Sequence, residues 1–189
     1  MVTKVAKDFL AFWREARGNN IVPAHTDIHL EGLEGVSARV LYSAWDDQGR
    51  LVIRYVGSDL VEAFKADTTG VDQMSLSHPD EVELSKLTLG LVGDHPCGLV
   101  SKITLRGEDL TPREFECIFL PVEHDGRNSH IIELVNPLDF DYRPEDNPGS
   151  LQALRYSDRH FIDIGAETPL AEGPLAPYGT ISLKDLMQG

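Results

Sequence analysis

His25 and His29 stand four residues apart with Asp27 between them. On a helix, that spacing lets two imidazoles share one metal ion. Pro23 and a capping Asp27 instead place the pair at a helix start, and the sequence positions no third ligand. No metal is expected there. Cys97 and Cys117 fall in apolar, strand-like runs. With a hairpin turn near Gly107-Glu108 they would lie opposite each other, either as buried thiols acting as small hydrophobes or as a redox pair. Arg54 is an isolated charge among apolar strand neighbours. It would either pair with an acid while its stem packs along the sheet, or orient a ligand carboxylate through its guanidinium fork. The acidic pairs Asp46-Asp47, Asp80-Glu81 and Asp139/Asp141 fall in turns, helix starts or the C-terminal region. Those are solvated places, unlike the desolvated pocket a catalytic carboxylate needs. There is no nucleophile elbow, no P-loop and no dinucleotide fingerprint after a strand. The chain is not expected to be an enzyme.

The elements that must carry these residues are legible from periodicity. Val5, Phe9, Phe12, Trp13 and Ala16 form one stripe of a helix over about 3–17, stopped by Gly18-Asn19-Asn20. The stripe packs either on the chain's own core or on a second copy, so Val5, Phe9, Phe12 and Trp13 are candidate homodimer contacts. Two short strands follow, 38–45 and 51–56, joined by Asp46-Asp47-Gln48-Gly49. Ser58 opens a short helix over 60–65. A longer helix begins at Ser77 or His78, presents Leu84, Leu87 and Leu91 with Leu89 and Val92, and closes at Gly93. Strands are expected over 96–106, 114–122 and 128–135, the first with Cys97, Leu99, Ser101, Ile103 and Leu105 on one face. Six of the eleven prolines lie beyond Asn136, which reads as irregular, with a short edge strand over 159–164 and a closing turn over 182–187.

Length and charge bound the function. The 189 residues suit one domain with extensions. A net charge of −14 argues against nucleic acid and anionic membrane surfaces, since both are bound through Lys and Arg. No apolar window reaches the roughly 20 residues of a membrane span, and no secretion signal opens the chain. A soluble, cytoplasmic protein is expected.

Two strands, a helical segment and a three-strand meander resemble a PAS domain. More narrowly, the chain resembles the single-domain PAS family common in alphaproteobacteria. The matching residues are Phe12-Trp13-Arg14, Pro23 and Asp27-Ile28, Arg54-Tyr55-Val56-Gly57-Ser58, Thr69-Gly70 and Leu120-Pro121, across about 5–137. His25 departs from the pattern, where an arginine is expected. The cysteine of light-sensing flavin-binding relatives is absent from the helical region, so a flavin adduct is not expected. His78 and His95 flank the long helix rather than lying on it, so heme is not expected either.

The resemblance implies an α+β fold with a five-stranded antiparallel sheet, short helices over one face, an N-terminal amphipathic helix and an irregular C-terminal extension. The corresponding division is 1–35, 36–137 and 138–189. It further implies a stand-alone bacterial sensor or adaptor that binds a small molecule or a signalling protein partner and acts in trans. A ligand-free dimerisation or interaction module is the alternative. Leu87, Leu91, Leu99, Ser101, Phe115, Cys117 and Phe119 are the expected ligand-pocket lining, with Arg54 as a polar contact.

Overall fold

The computed structural model describes residues 2–33, 35–106, 112–139, 155–169 and 173–188. Helix α1 (Lys4–Arg17) precedes strands β1 (Val40–Trp45) and β2 (Leu51–Val56). Helices α2 (Ser58–Phe64) and α3 (Val82–Asp94) follow, then β3 (Gly98–Arg106), β4 (Pro112–His124) and β5 (Arg127–Pro137). The chain adds β6 (Arg155–Asp163), β7 (Gly179–Ser182) and α4 (Leu183–Gln188). The sheet order is β2-β1-β5-β4-β3-β6-β7.

The first five strands are the expected pair and three-strand meander, but among the described residues the sheet has seven strands, not five. The C-terminal region is not simply irregular: β6 pairs antiparallel with β3, and β7 pairs parallel with β6. Arg155–Asp163 is therefore an inner strand rather than an edge. Its apolar residues face both ways, with Phe161 in one core and Ile162 in the other.

Those two cores explain the architecture. On the helical face, α2 and α3 cover Leu41, Ile53, Leu99, Phe115, Phe119 and Ile131. On the back face, α1 and α4 cover Val40, Ile118, Leu120, Ile132 and Leu134. The alternation of β3, β4 and β5 sends successive residues to opposite layers.

Helix α1 is set by its ends and its middle. Thr3 caps it by accepting from the Ala6 amide at 3.2 Å, and the Thr3 hydroxyl donates to buried Glu116 at 2.8 Å. The Trp13 indole N–H donates to the Pro121 carbonyl at 2.9 Å. Arg17 donates to the Ile164 carbonyl at 2.6 Å. Phe9 and Trp13 are fully buried in the chain's own back core, with Ala6 and Leu10 beside them. The dimer role expected of Phe9 and Trp13 is corrected accordingly, because a side chain spent inside the monomer is not on an outer surface. Val5 and Phe12 are half-buried against the same core.

Two further expectations are corrected by packing. Helix α3 turns Ser85, Thr88, Leu89 and Val92 inward, while Leu87 is 40% exposed and Leu84 and Leu91 are half-buried. Thr88 Oγ1 donates to the Leu84 carbonyl at 2.9 Å, so Ser85 and Thr88 face the sheet beside Leu89 and Val92, in place of Leu84, Leu87 and Leu91. Gly93 is not a stop. A Cβ there would stand 2.5 Å from the Asn128 carbonyl oxygen, so glycine permits close approach of α3 to β5.

Trp13→Ala should cost about 3–5 kcal/mol of stability, read from urea unfolding. A loss below about 1 kcal/mol would show that α1 is not integral to the back core.

Candidate functional site

Of the residues expected to line a ligand cavity, Leu99, Phe115, Cys117 and Phe119 pack together in the helical core, while Ser101 borders a space of about 340 Å³ with Val100, Lys102 and Glu116. Leu99, Ser101, Phe115, Cys117 and Phe119 are each at most 2% exposed. Phe115 borders a space of only about 20 Å³, between Leu60, Ala63 and Val135, room for about one water molecule. Ser101 spends its hydroxyl on the Ser157 carbonyl at 3.0 Å, at the junction with β6. Leu87 faces outward and Leu91 lies at the margin of the helical core.

Arg54 is exposed and falls at the register shift between β1 and β2, outside the helical core. It is therefore not the polar contact expected for a ligand on the helical side. The sequence shows it among apolar neighbours but not that its own face of β2 opens to solvent.

The two cysteines do not oppose each other. β3 and β4 pair as far as Arg106↔Pro112, which makes the connection longer than a turn at 107–108 and sets Ser101 opposite Cys117. Cys97 lies just before β3, and burial pushes its thiol up to about 12. Burial also raises the Cys117 thiol, with the nearby Glu133 and Glu116 adding to the effect. Neither holds the thiolate that a redox pair requires.

What the helical core does contain is a polar chain. Ser43 on β1 donates to Gln73 Oε1 at 2.9 Å, and Gln73 Nε2 donates to Glu133 Oε2 at 2.6 Å. Gln73 sits in a 3-10 turn (Gln73–Leu76) capped by Asp72, whose carboxylate accepts from the Met74 amide. Glu133 on β5 is 4% exposed. Desolvation pushes its carboxyl up to about 8, against the opposing hydrogen bonds of Gln73 and Cys117. At neutral pH it is held as a neutral acid inside an apolar layer. Among its strand neighbours, Ile131 and Val135 share its face, while Ile132 and Leu134 lie beneath α1.

Sequence reasoning missed Ser43, Gln73 and Glu133. The available signal was the single carboxylate inside Ile131-Ile132-Glu133-Leu134-Val135. Gln73 carried no signal, because only the fold brings its turn over β5.

A second polar element locks the C-terminal strands to the helices. Arg159, 5% exposed, donates to Glu81 Oε2 at 2.8 Å and to the Tyr178 hydroxyl at 2.9 Å. Its guanidinium lies 4.8 Å from the Tyr156 ring centre. It fixes β6 to the segment that leads into α3.

The motif residues noted in the sequence acquire physical reasons. Trp13 meets Pro121, as described above. A Cβ on Gly57 would lie 2.3 Å from the Ala38 carbonyl oxygen. Gly70 has a φ of +85° and donates its amide to the Ile53 carbonyl at 2.8 Å, closing the outer edge of β2. A family model for the PAS domain matches residues 1–135. The chain belongs to the PAS domain family. A search of curated proteins finds no match. The matched segment ends within β5, so β6, β7 and α4 lie outside it. Among the described residues, no helix is long and apolar enough to cross a membrane.

The raised pKa of Glu133 has a definite consequence for stability. Its ordinary value is 4.5 and its folded value about 8. Between them the folded state keeps the proton and the unfolded state does not, so stability falls as pH rises across that window and is fully present below it. Relative to Glu133→Gln, the wild type should lose up to about 1.4 kcal/mol per pH unit between about pH 5 and 8. Parallel pH profiles of urea unfolding for the two proteins would contradict a buried neutral acid.

Proposed function

We propose that this PAS protein is a regulatory sensor–adaptor that receives its signal at the Ser43–Gln73–Glu133 chain and passes it in trans to a separate protein. PAS membership supports the sensory and regulatory character. The observation that carries the particular reading is Glu133, a neutral acid in an otherwise apolar layer. A buried polar chain costs stability unless every member is satisfied, so a small change at one member shifts the balance of states. Strand β5 carries that change to the back face, since Ile132 and Leu134 flank Glu133 and pack under α1.

The filled core favours a protein partner over a retained small molecule. A ligand would have to part α2 and α3 from the sheet to reach Glu133. The interaction surface need not be a dimer built on Phe9 and Trp13, both of which are internal. Among the described residues no catalytic constellation accompanies these three side chains, and the reading is non-enzymatic.

Native mass spectrometry with a denatured control tests the packed-core reading. The expected native mass is the chain alone, or a simple multiple of it. Extra mass that disappears on denaturation would identify a retained ligand and overturn it.

A further inference from the structure

On the back face of the sheet, beside the start of α1 and α4, lies the cavity of about 340 Å³ that Ser101 borders. That volume falls within the roughly 300–1,000 Å³ of small-molecule sites. Apolar side chains form much of its wall: Val2 ahead of α1, Val100 on β3, Leu138 after β5, Ile181 on β7 and Leu186 on α4. The carboxylate of Glu116, on β4, stands among them. We infer that this cavity binds a small organic cation, one ammonium group on an apolar body, with Glu116 as its anchor.

The charge arrangement sets the ligand class. Glu116 is 6% exposed, and a carboxylate taken out of water is costly unless it is paired. Its Oε2 accepts from the Thr3 hydroxyl at 2.8 Å and from the Thr3 amide at 3.3 Å. Among the described residues no hydrogen bond occupies Oε1, and no Lys, Arg or His forms an ion pair with the group. Its natural cross-strand partner is Lys102, directly opposite on β3. The Lys102 ammonium instead lies 2.9 Å from Asp158 Oδ2. Lys102 and Asp158 offset each other, which leaves the negative charge of Glu116 for a ligand to meet. The net charge of −14 draws cations toward the surface as well.

The backbone of β6 shows why Lys102 turns away. Val100 pairs with His160 and Lys102 with Ser157, so Asp158 and Arg159 together oppose Ser101. This is a β-bulge, a device that re-aims side chains. Asp158 takes a φ of +50° in it, a left-handed conformation that costs a non-glycine residue stability. The bulge sets the Asp158 carboxylate beside Lys102 and His160 at the same rim, with His160 Nδ1 3.1 Å from the Asp158 carbonyl oxygen. Ser101 adds no polar contact, because its hydroxyl is spent on the Ser157 carbonyl.

The Lys102 and Asp158 side chains are 47% and 62% exposed. The mouth therefore opens to solvent, and an occupant exchanges rather than being retained. Asp158, His160, Ile181 and Leu186 lie beyond the matched residues 1–135, so the PAS segment alone does not build this cavity. An occupant would also touch the start of α1, since Thr3 both caps that helix and holds Glu116.

The test is an amide NMR titration of the full chain with n-hexylammonium, and in parallel with n-hexanoate at matched ionic strength. Hexylammonium is expected to saturate a single site, to shift the amides of Val100, Leu138 and Ile181, and to bind at least about tenfold more tightly than hexanoate. Glu116→Gln keeps an oxygen for Thr3 and should erase that preference. Ile181→Trp, on a half-buried part of the wall, should abolish binding. No saturable binding, equal affinity for the two ligands, or shifts confined to other residues would overturn the site. These readouts come from the wild type, so they decide the matter even if a variant fails to fold. The outcome is independent of Glu133, which faces the helices on the other side of the sheet.

Discussion

Strand β4 is buried without interruption from Phe115 to Val122. Consecutive residues of a strand point to opposite faces, so this single run obliges the protein to cover both sides of its sheet. Helices α2 and α3 cover one side. The other side must be covered too, and that requirement makes α1 part of the core rather than an appendage. The Trp13 bond to the Pro121 carbonyl is the visible form of this dependence: the helix is tied to the very strand that needs it. The same requirement reaches the C-terminal region, where Phe161 and Ile162 extend both cores and α4 completes the back layer.

A sheet packed on both faces behaves as a shared wall. Close-packed interiors transmit displacement because there is little free volume to absorb it. Glu133 sits in that wall facing the helices, while the residues on either side of it face α1. Under the proposed function, a change in protonation or hydrogen bonding at the buried chain Ser43–Gln73–Glu133 bears on both layers. Arg159 ties the C-terminal strands into the same helical layer through Glu81, so the extension beyond the PAS match is mechanically part of the unit.

Periodicity revealed most of the fold. Leu51–Val56 matches the expected second strand residue for residue, and the three later strands differ only at their ends. The number of strands was not legible, because β6 mixes Arg155, Asp158 and Arg159 with its apolar residues and pairs with a partner far away in sequence. The inner face of α3 was misread because leucine spacing outweighs Ser85 and Thr88 in any hydrophobicity argument, although the sheet accepts the smaller residues. The polar sites were least legible. Ser43, Gln73 and Glu133 come from two strands and a turn. No local pattern joins them; only strand register does. Even so, the isolated Glu133 within an apolar run was a visible anomaly.

The most direct measurement is an NMR titration that follows the Glu133 carboxyl carbon and the Trp13 indole N–H together. The account predicts that Glu133 titrates at about 8 and that the Trp13 signal, on the other side of the sheet, moves with the same midpoint. A Glu133 carboxyl that titrates at its ordinary value would contradict the buried neutral acid. A Trp13 signal that ignores the titration would contradict coupling between the two faces.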